Sequence, residues 1–139
     1  MRIDVYNRTQ AERLEPRHDA VVISISIPGK PAMLRHGWAD VLRLEFHDIM
    51  EQWEVDTEGL TIFTPEMAAQ VQRFAELHKA FDFVVHCHAG FSRSVAVGIY
   101  LRDVYEGELH THAITHLQAA NSHVLRTLMR AHWEKQFNE

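Results

Sequence analysis

Val84-Val85-His86-Cys87-His88-Ala89-Gly90-Phe91-Ser92-Arg93-Ser94 is the stretch from which the rest of this chain is best understood. It opens on β-branched apolar residues that suit a buried strand. The chain's single cysteine follows, five residues separate it from Arg93, and Ser92 or Ser94 opens a helical run, Val95 to Tyr105, that Gly107 ends. A tight connection from strand to helix suits a dianionic phosphate. Its backbone N–H groups can turn inward, and the helix N-terminus adds unpaired donors and a partial positive charge. Gly90 permits a turn that a Cβ would forbid. Arg93 is placed to reach back over the loop and hold two oxygens with its planar fork. His88, Ala89, Gly90, Phe91 and Ser92, together with Arg93, are therefore the expected substrate-binding cradle. A helix N-terminus and a neighbouring cation also favour thiolate over thiol, which makes Cys87 the expected nucleophile. Ser94 is placed to donate a hydrogen bond to that sulfur and ease its departure from a cysteinyl-phosphate.

Strands and helices alternate on both sides of this segment. Ile3, Val5 and Tyr6 suit a short strand, and Thr9 is the predicted cap of a helix over Gln10 to Leu14. Ala20 to Ile27 is continuous, apolar and β-branched, then stopped by Pro28-Gly29, as in a strand buried on both faces. Val41 to Phe46 alternates and predicts another strand, ending in His47-Asp48. Ile49 to Ile62 is mixed and acidic, and predicts irregular chain. Thr64-Pro65 starts a helix, with a cap followed by proline at the first helical position. Phe81 to Val85 is the strand that delivers Cys87. Thr111 to Trp133 predicts helix, broken near Ala120-Asn121-Ser122, where Asn121 or Ser122 can cap a new one. The alternation predicts a single α/β domain over 1–139, with a central, mostly parallel sheet of four to five strands flanked by helices.

Composition narrows the function classes. The 139 residues are 46% hydrophobic and 24% charged, ordinary for one globular domain. No apolar run approaches the roughly 18 residues that span a bilayer, and MRIDVYNRTQ has no apolar signal core, so a cytoplasmic location without membrane partners is expected. The formal net charge of −5 argues against nucleic acid as the main partner. A lone cysteine forms no internal disulfide and no cysteine-rich zinc site. His112 and His116 stand four apart on a predicted helix, a spacing that can bind zinc, yet no third ligand follows at clear spacing. No metal or other cofactor is called for, because the loop and Arg93 supply the positive charge a metal would otherwise bring.

His86-Cys87-(five residues)-Arg93-Ser94 resembles the signature of the protein tyrosine phosphatase superfamily, HCxxGxxR[ST], and the short chain resembles its compact, dual-specificity-like, bacterial- or phage-type branch. Asn121 to Leu128 is similar to the last helix of such members. The resemblance implies a cysteine-dependent phosphomonoester hydrolase that acts on a phosphorylated protein, foremost on phosphotyrosine, or on a small phosphoester. It also implies an Asp, a few tens of residues before the cysteine, that protonates the leaving oxygen and then activates water. Asp48 and Asp56 both qualify, and the spacing in compact dual-specificity enzymes slightly favours Asp56. Phe46-His47-Asp48-Ile49 is similar to a Phe-x-Asp-Ile segment of small bacterial-type members, and Asp48 follows a strand end, where parallel-sheet sites sit; Asp48 is therefore preferred. The superfamily's non-protein substrates, a glutathione-assisted arsenate reductase and a non-catalytic phosphate-binding module are the competing readings.

Plainer roles compete for several of these residues. Cys87 could be a buried small hydrophobe, Arg93 a surface cap, and Asp48 a turn cap. His86 is expected to support the loop by hydrogen bonding and not to react. Phe91 could flank a substrate ring or pack inward.

Overall fold

A computed structural model describes residues 1–50, 59–114 and 116–137. The chain runs β1 (Arg2–Asn7), α1 (Arg8–Arg13), β2 (Ala20–Ser26), β3 (Asp40–Glu45), α2 (Pro65–Leu77), β4 (Asp82–Cys87), α3 (Arg93–Tyr105), β5 (Glu108–Thr111) and α4 (Ser122–Phe137). The strands form one sheet in the order β3-β2-β4-β1-β5, and every neighbouring pair is parallel. The predicted α/β architecture is therefore present, with five strands all running one way.

β2 is buried along its whole length, as its continuous apolar run requires. β4 lies in the middle of the sheet, between β2 and β1. Its register sets Cys87 beside Asn7, and His86 between Tyr6 and Ser24. Because all strands point the same way, the segments that follow β1, β2, β3 and β4 gather at one end. An open parallel sheet holds its ligands at that end.

The helices bury whatever the sheet leaves uncovered. α2 starts as predicted, with the Thr64 hydroxyl accepting from the Met67 N–H at 3.2 Å and Pro65 in the first turn. Its inward stripe is Ala68, Val71, Phe74 and Ala75. α3 is buried from Arg93 through Leu101 and packs on β1, β4 and β5. Gly98 allows that approach, since a Cβ there would stand 2.9 Å from Leu109 and 3.0 Å from Val5. α4 packs against α2 and α3. Among the described residues no helix is long and apolar enough to cross a membrane.

Several boundaries differ from the sequence expectation, each for a local reason. Asn7, not Thr9, caps α1: its side chain accepts from the Gln10 N–H while the Gln10 side chain accepts from the Asn7 N–H, both at 2.8 Å. Glu108–Thr111 is a strand that its sequence does not announce. It is a short edge element with no apolar alternation, stabilised by pairing with β1. That pairing draws Thr111 out of the predicted helix. Helix begins only at Ser122, after Asn121 caps it by accepting from the Val124 N–H at 3.0 Å. Neither Ser92 nor Ser94 caps α3 through its side chain. Ser92 holds the cap position, but its hydroxyl is engaged elsewhere.

Candidate active site

Cys87 ends β4 and is 1% exposed. Its sulfur lies 3.0 Å from the Ser94 hydroxyl and accepts the Gly90 N–H at 3.3 Å. The chain folds back tightly enough for this because Gly90 has φ +78 and no side chain. A Cβ at Gly90 would stand 2.7 Å from the Asn7 nitrogen and 2.8 Å from the Tyr6 carbonyl carbon. The end of β1 thus forms the floor of the loop. The Arg8 N–H adds a tie, donating to the His88 carbonyl at 3.1 Å. His88 is exposed, and Phe91 at 41% exposure faces outward and does not pack into the core.

His86 supports the loop from below and is fully buried. Its Nδ1 lies 3.3 Å from the Cys87 carbonyl, an oxygen that can only accept, so Nδ1 carries the hydrogen. Nε2 then accepts from the Ser24 hydroxyl at 2.6 Å. Burial pushes the imidazole down to about 4. His86 is therefore a neutral strut between β2 and the backbone of Cys87.

Arg93 is 6% exposed. One terminal nitrogen donates to the Phe46 carbonyl at 2.7 Å, and the guanidinium carbon lies 5.9 Å from the centre of the Phe46 ring. Its Nε has no hydrogen-bond partner among the described residues. The residue borders a cavity of about 730 Å³, together with His88 and the segment that follows β2. A guanidinium taken out of water with an unused N–H beside a cavity is suited to receive an anion.

Asp48 reaches this site from the end of β3. Its Oδ1 accepts from the Ser92 hydroxyl at 2.8 Å and from the Asn121 amide at 2.7 Å. Asn121 is fully buried and touches three elements at once. Its N–H donates to the Ser92 carbonyl at 3.0 Å, its amide also reaches the Ile49 carbonyl at 3.3 Å, and its oxygen caps α4. The chain beside Asp48 is closed like a stem. The His47 N–H donates to the Thr61 carbonyl at 2.7 Å, and the Thr61 N–H donates to His47 Nδ1 at 3.0 Å. Asp56 falls outside the described residues. Cys87, Ser94, Arg93, Ser92 and Asp48 are thus brought to one end of the sheet.

Asn121 was legible as a helix cap, but nothing in the sequence signals its second attachment to Asp48. His112 and His116 do not share a helix. His112 stacks on Tyr6 with ring centres 4.2 Å apart, and its Nε2 bonds Asp4 at 2.8 Å.

No family model and no curated protein matches the chain. Among solved structures the chain is similar to TpbA of P. aeruginosa, at 19% identity and a TM-score of 0.36, over 76% of this chain and 60% of that one. The chain therefore spans about three-fifths of the length of that structure. So loose a likeness carries no weight for chemistry, which rests on the geometry of the site.

Proposed function

We propose that this protein is a cysteine-dependent phosphomonoester hydrolase with phosphotyrosine and related aryl phosphates as its substrates. One observation carries the reading. The Cys87 sulfur, held by the Ser94 hydroxyl and the Gly90 N–H, shares a loop with a buried Arg93 that borders a cavity and whose Nε has no hydrogen-bond partner among the described residues. That is a nucleophile and an anion receptor at adjoining positions.

In the proposed reaction, Arg93 and the loop N–H groups bind the non-bridging oxygens. The sulfur attacks phosphorus, an S–P bond forms, and the bond to the leaving oxygen breaks as Asp48 protonates that oxygen. Ser92 and Asn121 occupy Oδ1 of Asp48, which leaves Oδ2 to carry the proton. Water then attacks the cysteinyl-phosphate while Asp48 accepts its proton. The S–P bond breaks, and the Ser94 hydroxyl donates to the departing sulfur. Inorganic phosphate leaves. An aryl substrate is supported by the cavity wall, where Ile27, Pro31 and Met33 offer apolar surface to a ring.

Hydrolysis of p-nitrophenyl phosphate tests the reading. Cys87→Ser should abolish it. Asp48→Ala should slow an alkyl phosphate by about 10²-fold and p-nitrophenyl phosphate by less, because a good leaving group needs little protonation. Activity that persists in Cys87→Ser, or that requires an added metal, overturns the proposal.

A further inference from the structure

Resting on that reading, we infer that the cavity beside the phosphate loop selects phosphoesters carrying a second anionic group, and that the Lys30 ammonium binds it. Arg8, Lys30 and Arg93 are the cationic side chains that border the cavity, beside His88. Arg93 belongs to the scissile phosphate. Arg8 is already matched: its fork donates to the Lys30 and Pro31 carbonyls at 2.7 and 2.8 Å, and its Nε lies 3.4 Å from Glu12. The Lys30 ammonium is exposed and makes no hydrogen bond or ion pair among the described residues.

The wall that presents Lys30 is built rather than loose. Besides the two bonds from Arg8, the Gly29 N–H donates to Glu45 at 3.1 Å, the Met33 N–H to Glu12 at 2.7 Å, and Arg43 to the Ala32 carbonyl at 3.0 Å. The carboxylates of Glu12 and Glu45 are engaged in holding this backbone. The backbone under Lys30 is therefore ordered before any ligand arrives, and binding needs to order only one flexible side chain. Ile27, Pro31 and Met33 give the same wall an apolar surface, beside Ser26. An aryl phosphate whose ring rests on that surface can offer a carboxylate or a second phosphate to Lys30. On a phosphotyrosyl peptide such a group is an acidic or phosphorylated residue next to the phosphotyrosine.

The test compares kcat/KM for three phosphotyrosyl peptides that differ at the adjoining residue, which is Gln, Glu or phosphoserine, with p-nitrophenyl phosphate in parallel. The Glu peptide should exceed the Gln peptide by about three- to fivefold, the range of an exposed ion pair. The phosphoserine peptide should exceed it by more if a second phosphate is the preferred group, and equally if one carboxylate charge suffices. Lys30→Met should bring the ratios to about one, Lys30→Glu should invert them, and about 0.5 M salt should shrink them in the unaltered protein. Equal values for all three peptides, or ratios that survive Lys30→Met, overturn the inference. If p-nitrophenyl phosphate is hydrolysed while the peptides show no preference, only the role of Lys30 falls. If it is not hydrolysed, the phosphatase reading falls first.

Discussion

Two loops border the cavity, and they are held by opposite means. The 88–92 loop is secured from within the protein: a glycine against the end of β1, a neutral buried histidine, and a fully buried asparagine. The 28–34 segment is secured at the surface by Arg8, Glu12, Arg43 and Glu45, each reaching a main-chain N–H or carbonyl. The difference separates two tasks. In the proposed reaction the sulfur must be aimed to within fractions of an ångström, which buried and water-excluded contacts can do. A wall that meets variable parts of a substrate tolerates contacts that salt and water weaken.

The contrast breaks most visibly at Gly90. Gly90→Ala would place a methyl group against the main chain of Tyr6 and Asn7, on a residue already at φ +78. Overpacking against backbone and the left-handed strain together should cost about 4 kcal/mol. The change should abolish turnover even where the protein still folds, because β1 and the loop must separate. Urea unfolding and p-nitrophenyl phosphate hydrolysis measure the two effects. Ordinary stability and activity in the Gly90→Ala variant would show that the floor beneath the loop yields.

His86 predicts how pH divides the two regions. Unfolded, its imidazole titrates near the ordinary 6.5; folded, burial holds it down to about 4. Between those values the unfolded chain binds a proton that the folded chain refuses. The stability contribution is therefore complete above pH 6.5, falls as pH drops through the window, and stops falling below about 4. The total is on the order of 3 kcal/mol. Comparing urea midpoints of the unaltered protein and His86→Gln at pH 7 and pH 4.5 isolates it. The unaltered protein should lose more stability on acidification than the variant. Identical pH dependence in the two would mean that the imidazole is not held neutral beneath Cys87.

The same division explains what was legible in the sequence. Cys87, Gly90, Arg93 and Ser94 were readable because the loop's requirements are local: strand before, helix after, a glycine where a Cβ has no room. β2 was readable because burial on both faces demands a continuous apolar run. Asp48 was readable as a residue at a strand end, but its attachment to Ser92 and Asn121 joins positions far apart in the chain, and nothing local marks such a bond. β5 escaped for the opposite reason. Glu108–Thr111 has little apolar patterning of its own, and its conformation comes from its neighbour β1. The 28–34 segment looked like mere Pro and Gly punctuation. The side chains that fix it come from α1 and β3, and no spacing rule connects them.

Arg8 belongs to both regions, and this makes the smallest predicted effect the sharpest. Its main-chain N–H donates to the His88 carbonyl, while its guanidinium donates to the Lys30 and Pro31 carbonyls. Arg8→Lys keeps the first bond and the positive charge. It loses the planar fork that spans two carbonyls, because an ammonium is a point charge on a flexible stem. The expected cost is about 1 kcal/mol, as the bonds lie near the surface. Amide exchange should show where it falls. Protection of the Gly29 and Met33 N–H groups should drop as the wall loosens, and protection of the Gly90 N–H, which faces the sulfur, should stay. If Gly90 loses protection to the same degree, the two loops open together, and the buried and surface devices form one cooperative unit.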